Sequence, residues 1–193
     1  HGSAFGQVVV KEQNRTWRSK KSEGGGCLHD YACHVVDLMN FLVGPPARVR
    51  GASLQTIFST DVEDAAAAVF AYDNKAGGIL ETNWSDETYR KMSTTIVVHG
   101  TRGKLIVDRQ ELKVYLRAGC EFEDYVEGWN TRYITGLQKP VGFYLRGEEY
   151  SAQLESFIDA IRTGNMAHEN SFASAYETDR VLDLILRANP ANG

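Results

Sequence analysis

The sequence predicts an α+β fold: a large, mostly antiparallel, open-faced sheet with helices packed on one face. Three observations carry this. The middle of the chain is a succession of β-favouring runs separated by short turns. Several runs alternate, as in Leu80, Thr82 and Trp84 against Glu81, Asn83 and Ser85. Helical spacing is confined to one segment near the start and two at the end. Consecutive strands joined by so few residues run antiparallel, because parallel neighbours need a crossover of about a dozen residues or more. Alternation fits a sheet with one packed face and one turned to solvent, ligand or another subunit.

Taken in order, "HGS" at residues 1–3 reads as the scar of an affinity tag and is set aside, leaving 4–193 as one domain. "FGQVVVKEQ" (5–13) suggests a first strand. A helix follows from Asp30, with Val35, Leu38, Met39 and Leu42 as its apolar face, and Gly44-Pro45-Pro46 stops it. Strands are expected at 47–59, 63–73, 77–85, 93–100, 103–108 and 111–117, punctuated by turns such as Gly100-Thr101-Arg102-Gly103. Residues 118–147 are irregular and aromatic (Phe122, Tyr125, Trp129, Tyr133, Phe143, Tyr144), suited to stacking on a sugar or base or to packing over the sheet. Two helices close the chain. The first, within 147–164, carries Leu154, Phe157, Ile158 and Ile161; the second, within 171–190, carries Tyr176, Val181, Leu184 and Ile185.

Composition narrows the function classes. A chain of 193 residues can bury one sizeable core, and 42% hydrophobic with 24% charged residues is ordinary for a globular protein. The net charge is −4 and the basic residues nowhere exceed the short "RSKK" at 18–21, so neither nucleic acid nor an anionic membrane is an expected partner. Three cysteines, an odd number, favour a reducing compartment, with the thiols as small buried apolar groups; the cytoplasm is the expected location. The sequons at Asn14 and Asn83 are of the kind that arise by chance.

The segment "GGGCLHDYACHVVDLMNFLVG" (24–44) places Asp30, His34 and Asp37 four and then three residues apart, one polar stripe beside an apolar helix face. A carboxylate one turn from an imidazole can orient it and fix its tautomer, and the pair can then move the proton of a hydroxyl. The same pattern also fits a helix cap, a polar gap filler and a solvated acid. A metal is a third reading, through Cys27, His29, Cys33 and His34, although no zinc-type ligand spacing is present. Arg15, Trp17 and Arg18, with Trp84, are candidates for substrate contact. Spacing alone leaves these alternatives open.

The segment resembles the GGG-x-L-x-D-x-G-x-H-x-x-D motif that opens the substrate domain of the Gfo/Idh/MocA oxidoreductases, the family of glucose–fructose oxidoreductase and inositol dehydrogenase. "VEDAAAAVFAYDNKAGGILETNW" is similar to the family's paired strands, "VVHGTRGKLIVD" to its next hairpin, and "QLESFIDAIRTG" to its penultimate helix. The resemblance implies that His34 is an acid/base with Asp30 as its partner, and that Asp37 holds the helix or the substrate. Ala32 stands where the motif has glycine. It further implies an NAD- or NADP-dependent dehydrogenase acting on a sugar, cyclitol or sugar nucleotide, with a non-catalytic sugar-sensing or assembly domain as the alternative. No G-x-G-x-x-G occurs in the chain, and Gln138-Lys139-Pro140 lies too late to be the family's Glu-Lys-Pro. The expectation is therefore a substrate domain whose dinucleotide-binding domain is absent, inactive alone, forming a homodimer or homotetramer through the open sheet face. The Asp30–His34–Asp37 stripe is expected to face that open side.

Overall fold

The computed structural model describes residues 1–7, 16–137, 139–145, 147–165 and 170–190. Its strands are β1 (Gly2–Phe5), β2 (Arg48–Gln55), β3 (Ala65–Ala71), β4 (Gly77–Asn83), β5 (Ser93–His99), β6 (Gly103–Val107), β7 (Glu111–Leu116) and β8 (Gly128–Tyr133). A π turn (Leu28–Ala32) runs into helix α1 (Cys33–Val43). The short α2 (Ile134–Leu137), α3 (Glu148–Thr163) and α4 (Phe172–Ala188) follow β8.

All eight strands form one sheet in the order β2-β3-β4-β1-β5-β6-β7-β8. Every neighbouring pair is antiparallel except β1 with β4. The six strands expected between 47 and 117 are all present, each trimmed by a few residues where the turns begin. The first strand is a correction. It comprises Gly2–Phe5 at the centre of the sheet, so residues 1–3 do not stand outside the fold, and 8–15 lie outside the described residues. The fit there is close: a Cβ on Gly2 would lie 2.4 Å from Val35 Cγ1, which only a residue without a side chain avoids.

One face of the sheet is covered by α1 and α4. Ala66, Ala68 and Phe70 of β3, Leu80 of β4, Ala4 of β1 and Ile96 of β5 pack against Val35, Val36 and Met39 of α1 and Val181, Leu182 and Ile185 of α4. The buried side of α1 is thus rotated from the expected one, and Leu38 and Leu42 are exposed. On α4, Tyr176 is exposed and Leu182 takes its place in the core. The reason is geometric: α1 packs on β1 and β5 and also against α4, which itself lies on β2, so the stripe the fold buries is the one facing both the sheet and α4.

Beyond β5 the covering changes. Part of the expected irregular segment is strand β8, and residues preceding it fold back over the sheet. Tyr125 and Cys120 pack on Val114 and Leu116, Arg132 lies over the Tyr125 ring at 4.3 Å, and the Asn130 amide donates to the Val126 carbonyl at 2.7 Å. Among the described residues, the opposite face of the sheet is open. The register puts Val69, Ile79, Val97, Ile106, Tyr115 and Trp129 on it. Val69 and Ile79 are about half exposed as direct cross-strand partners. Helix α3 exposes Phe157 and Ile161, the apolar face its sequence announces. Among the described residues no helix is long and apolar enough to cross a membrane.

Candidate active site

The three glycines make a turn that no other residues could make. Gly26 has φ +114°, and a Cβ on it would lie 2.3 Å from Glu63 Oε1; one on Gly25 would lie 2.2 Å from the Arg18 carbonyl oxygen. The turn folds over the segment before it, with the Gly25 amide donating to Lys20 O at 2.9 Å and the Gly26 amide to Arg18 O at 3.1 Å. The chain then enters the helix through the π turn, closed by the Cys33 amide on the Leu28 carbonyl. Such turns are rare and gather at functional sites, because the extra residue re-aims side chains that an α-helix would hold in strict register. Spacing read as purely α-helical could not show it.

Asp30 sits inside that π turn with its side chain only 14% exposed. Its Oδ2 accepts from Arg18 Nε at 2.8 Å, and the Arg18 guanidinium carbon lies 4.9 Å from the centre of the Trp17 ring. Asp30, expected as the acid–base partner of His34, makes no hydrogen bond to it; a permanently charged guanidinium holds the carboxylate instead. His34, at the start of α1, is exposed. Asp37 accepts from Thr178 Oγ1 at 3.0 Å, tying α1 to α4. Arg15 lies outside the described residues.

Two expectations are corrected. The stripe does not face the open side of the sheet, because α1 lies on the covered face. Trp84 is no substrate contact: it is fully buried, its ring meets Tyr31 edge-on at 6.2 Å, and its Nε1 donates to Asp64 Oδ1 at 3.1 Å. It falls on the covered side because it continues the inward alternation of Leu80 and Thr82.

Asp64 and its neighbour Glu63 were missed by sequence reasoning. The fully buried Asp64 carboxylate accepts from the amides of Ile57, Phe58 and Ser59 at 2.6–2.9 Å, and from Ser59 Oγ, Trp84 Nε1 and Ser85 Oγ at 2.7–3.1 Å. Burial alone would push its pKa up, but these donors favour the anion and hold it at about 2. Glu63 faces the glycine turn: its Oε1 accepts from the Leu28 amide at 2.9 Å and its carbonyl from the Cys27 amide at 3.0 Å. The available signal was the pair of adjacent acids at the mouth of an apolar strand, where alternation forces one of them inward.

The same Glu63 decides a question about cofactors. A glycine turn before a helix can receive a dinucleotide's pyrophosphate on free backbone amides, but here the amides of Cys27 and Leu28 are already taken by Glu63. The turn therefore does not fit that group. Among the described residues no cluster of His, Cys, Asp and Glu could hold a metal. Burial pushes the Cys33 thiol up to about 11 and, aided by Glu63 and Asp64, raises that of Cys27 further, so neither is a ready nucleophile.

Comparison with known proteins places this geometry in a lineage. The model of the GFO/IDH/MocA C-terminal domain matches residues 3–106. Levoglucosan dehydrogenase of Pseudarthrobacter phenanthrenivorans is 28% identical over 209 residues, covering 90% of this chain and 52% of its own length. A solved structure of levoglucosan dehydrogenase in complex with NADH and levoglucosan superposes with a TM-score of 0.81 at 25% identity, over 97% of this chain and 55% of that one. An oxidoreductase domain protein from Kribbella flavida shares the fold at TM-score 0.79 and 21% identity, covering 100% of this chain and 58% of its own. The chain thus spans about half the length of these relatives, and it belongs to the GFO/IDH/MocA C-terminal domain family.

Proposed function

We propose that the chain is the substrate-binding half of an NAD-type dehydrogenase that oxidises a secondary alcohol, or reduces a ketone, on a sugar, cyclitol or sugar nucleotide. The observation that carries the reading is the exposed His34 imidazole on the first turn of α1, one turn from the shielded, ionically paired Asp30. An imidazole in that position can take the proton of a sugar hydroxyl or return it, and Asp30 supplies a fixed negative charge nearby. Trp17, half exposed with Arg18 over one face of its ring, is left only its other face on which a sugar ring can lie. Asp37 fixes the helix through Thr178. Arg15 remains a proposed substrate contact on the strength of the motif alone. A nicotinamide cofactor exchanges hydride; on this reading, a further domain of the whole protein holds it, because the glycine turn here does not fit a pyrophosphate. The relatives named for levoglucosan make anhydro- and simple sugars the first substrates to try. The cytoplasm is the proposed location.

The open sheet face supports a second role, compatible with the first. Its line of Val69, Ile79, Val97 and Ile106, flanked by Tyr115 and Trp129, suits the packing of another copy, as a homodimer or homotetramer. Because the candidate site lies on the covered side, assembly and substrate binding would use separate surfaces. The test of the leading reading is His34→Ala in the full-length native protein, assayed by NADH formation over a panel of sugars and cyclitols. Turnover should fall by about 100-fold or more with the native mass unchanged. Undiminished turnover would leave the assembly role as the function of this domain.

A further inference from the structure

The segment before the glycine turn is gripped at both ends, and both grips converge on one residue. The Arg18 carbonyl accepts from the Gly26 amide at 3.1 Å, and Gly25 lies so close to it that a side chain there would collide with the carbonyl. The Arg18 side chain then returns to Asp30, with Nε 2.8 Å from Oδ2 and the guanidinium over the Trp17 ring. Asp30 is anchored from the other side, its amide donating to Gly26 O at 3.0 Å. Residues 18, 26 and 30 thus form a closed loop of main-chain and side-chain contacts around the π turn.

We propose that Arg18 is a positioning residue, acting through Asp30 rather than by holding substrate. The inference rests on the acid–base reading of Asp30 and His34 given above. An Arg18 whose task was to bind an anionic substrate would keep its guanidinium free toward solvent. Here the Arg18 side chain is 41% exposed, yet its Nε is spent on a carboxylate that is itself 14% exposed, and its guanidinium carbon lies 4.9 Å from the centre of an indole ring. The side-on Nε contact fixes which way the carboxylate points, and Asp30 needs that fixing because it sits inside the π turn with Arg18 as its side-chain partner. Three glycines are then needed to bring the Arg18 backbone within reach.

The test is a double-mutant cycle in the full-length native protein, with Arg18→Ala, Asp30→Asn, the double variant and His34→Ala compared for kcat and KM. Arg18→Ala should lower kcat on the order of 100-fold with KM changed by less than about threefold, since misplacing a group near the chemistry costs rate rather than binding. In the Asp30→Asn background the same change should cost almost nothing, because the residue acts through Asp30. Guanidinium at low millimolar concentration should restore part of the rate of Arg18→Ala and none of that of Asp30→Asn. A raised KM with unchanged kcat, or losses that simply add, would overturn the proposal in favour of substrate contact. If Arg18→Ala does not fold, Arg18→Lys, which keeps the charge but not the side-on geometry, takes its place in the cycle. Should Asp30→Asn and His34→Ala both leave turnover intact, the acid–base reading itself fails. Should they abolish turnover while Arg18→Ala does not, only the role of Arg18 is lost.

Discussion

The two ends of the sheet are built to different standards. From β2 to β5 the strands lie under α1 and α4, and the core there holds Trp84, Phe70, Leu80 and Ile185 with almost no accessible surface. From β6 to β8, among the described residues, the same side is covered by a folded-back loop, over a small cluster of Val114, Leu116 and Tyr125. Packing is concentrated where the two helices cover the sheet. The candidate site grows from the end where helix, glycine turn and strand mouths are locked together. The other end offers surface.

The largest test of this contrast sets two tryptophans against each other. Trp84→Ala should cost about 3–5 kcal/mol, by emptying a fully buried site and orphaning an Asp64 contact. Trp129→Ala, on the open face at 57% exposure, should change stability by no more than about 0.5 kcal/mol. Urea unfolding of both variants reads the difference, and equal losses would mean that the two ends form one core.

Next comes pH. The folded pKa of Asp64 lies near 2, below the ordinary value of 3.8, so its contribution is complete above that ordinary value and is lost as pH falls toward 2. Stability measured from pH 5 down to 2 should decline for the native chain. It should decline less for Asp64→Asn, whose buried amide leaves several donors mismatched, making that variant weaker by about 2–3 kcal/mol at pH 7. Parallel pH curves for the two would remove Asp64 from its place as the anchor.

The smallest effect on stability, and the clearest on assembly, is expected from Ile79→Lys on the open face, where Val69 is its cross-strand neighbour. Light scattering should show a homo-oligomer reduced to smaller species, with the unfolding midpoint of the domain little changed. An unaltered mass would place the interface elsewhere.

Much of this architecture was legible in the sequence, for reasons that also explain the gaps. Strands β2 to β7 announce themselves because alternation and turn residues act locally, residue against neighbouring residue. Strand β8 was hidden because Trp129, Thr131 and Tyr133 look out from an exposed edge, so their pattern carries little apolar contrast. The Asp30–His34–Asp37 stripe was visible as spacing, but its partners were not. Arg18, Thr178 and Glu63 reach it across 12, 141 and 35 residues respectively, the last through the Leu28 amide, and no periodicity encodes such meetings. Trp84 was misjudged because alternation says which residues share a face without saying which face is covered.

The placement of β1 has a consequence for how the molecule comes to exist. This four-residue strand lies in the middle of the sheet, where Gly2 pairs with Leu80 on one side and Ile96 on the other. All its ladder contacts are remote in sequence, whereas β2–β4 and β5–β8 are hairpin ribbons that can zip locally and early. Until β1 is inserted, β4 and β5 each present a bare edge, the kind of surface on which a half-made chain joins a stranger. Strand β1 must therefore wait for its remote partners, and its arrival is the step that turns two ribbons into one sheet.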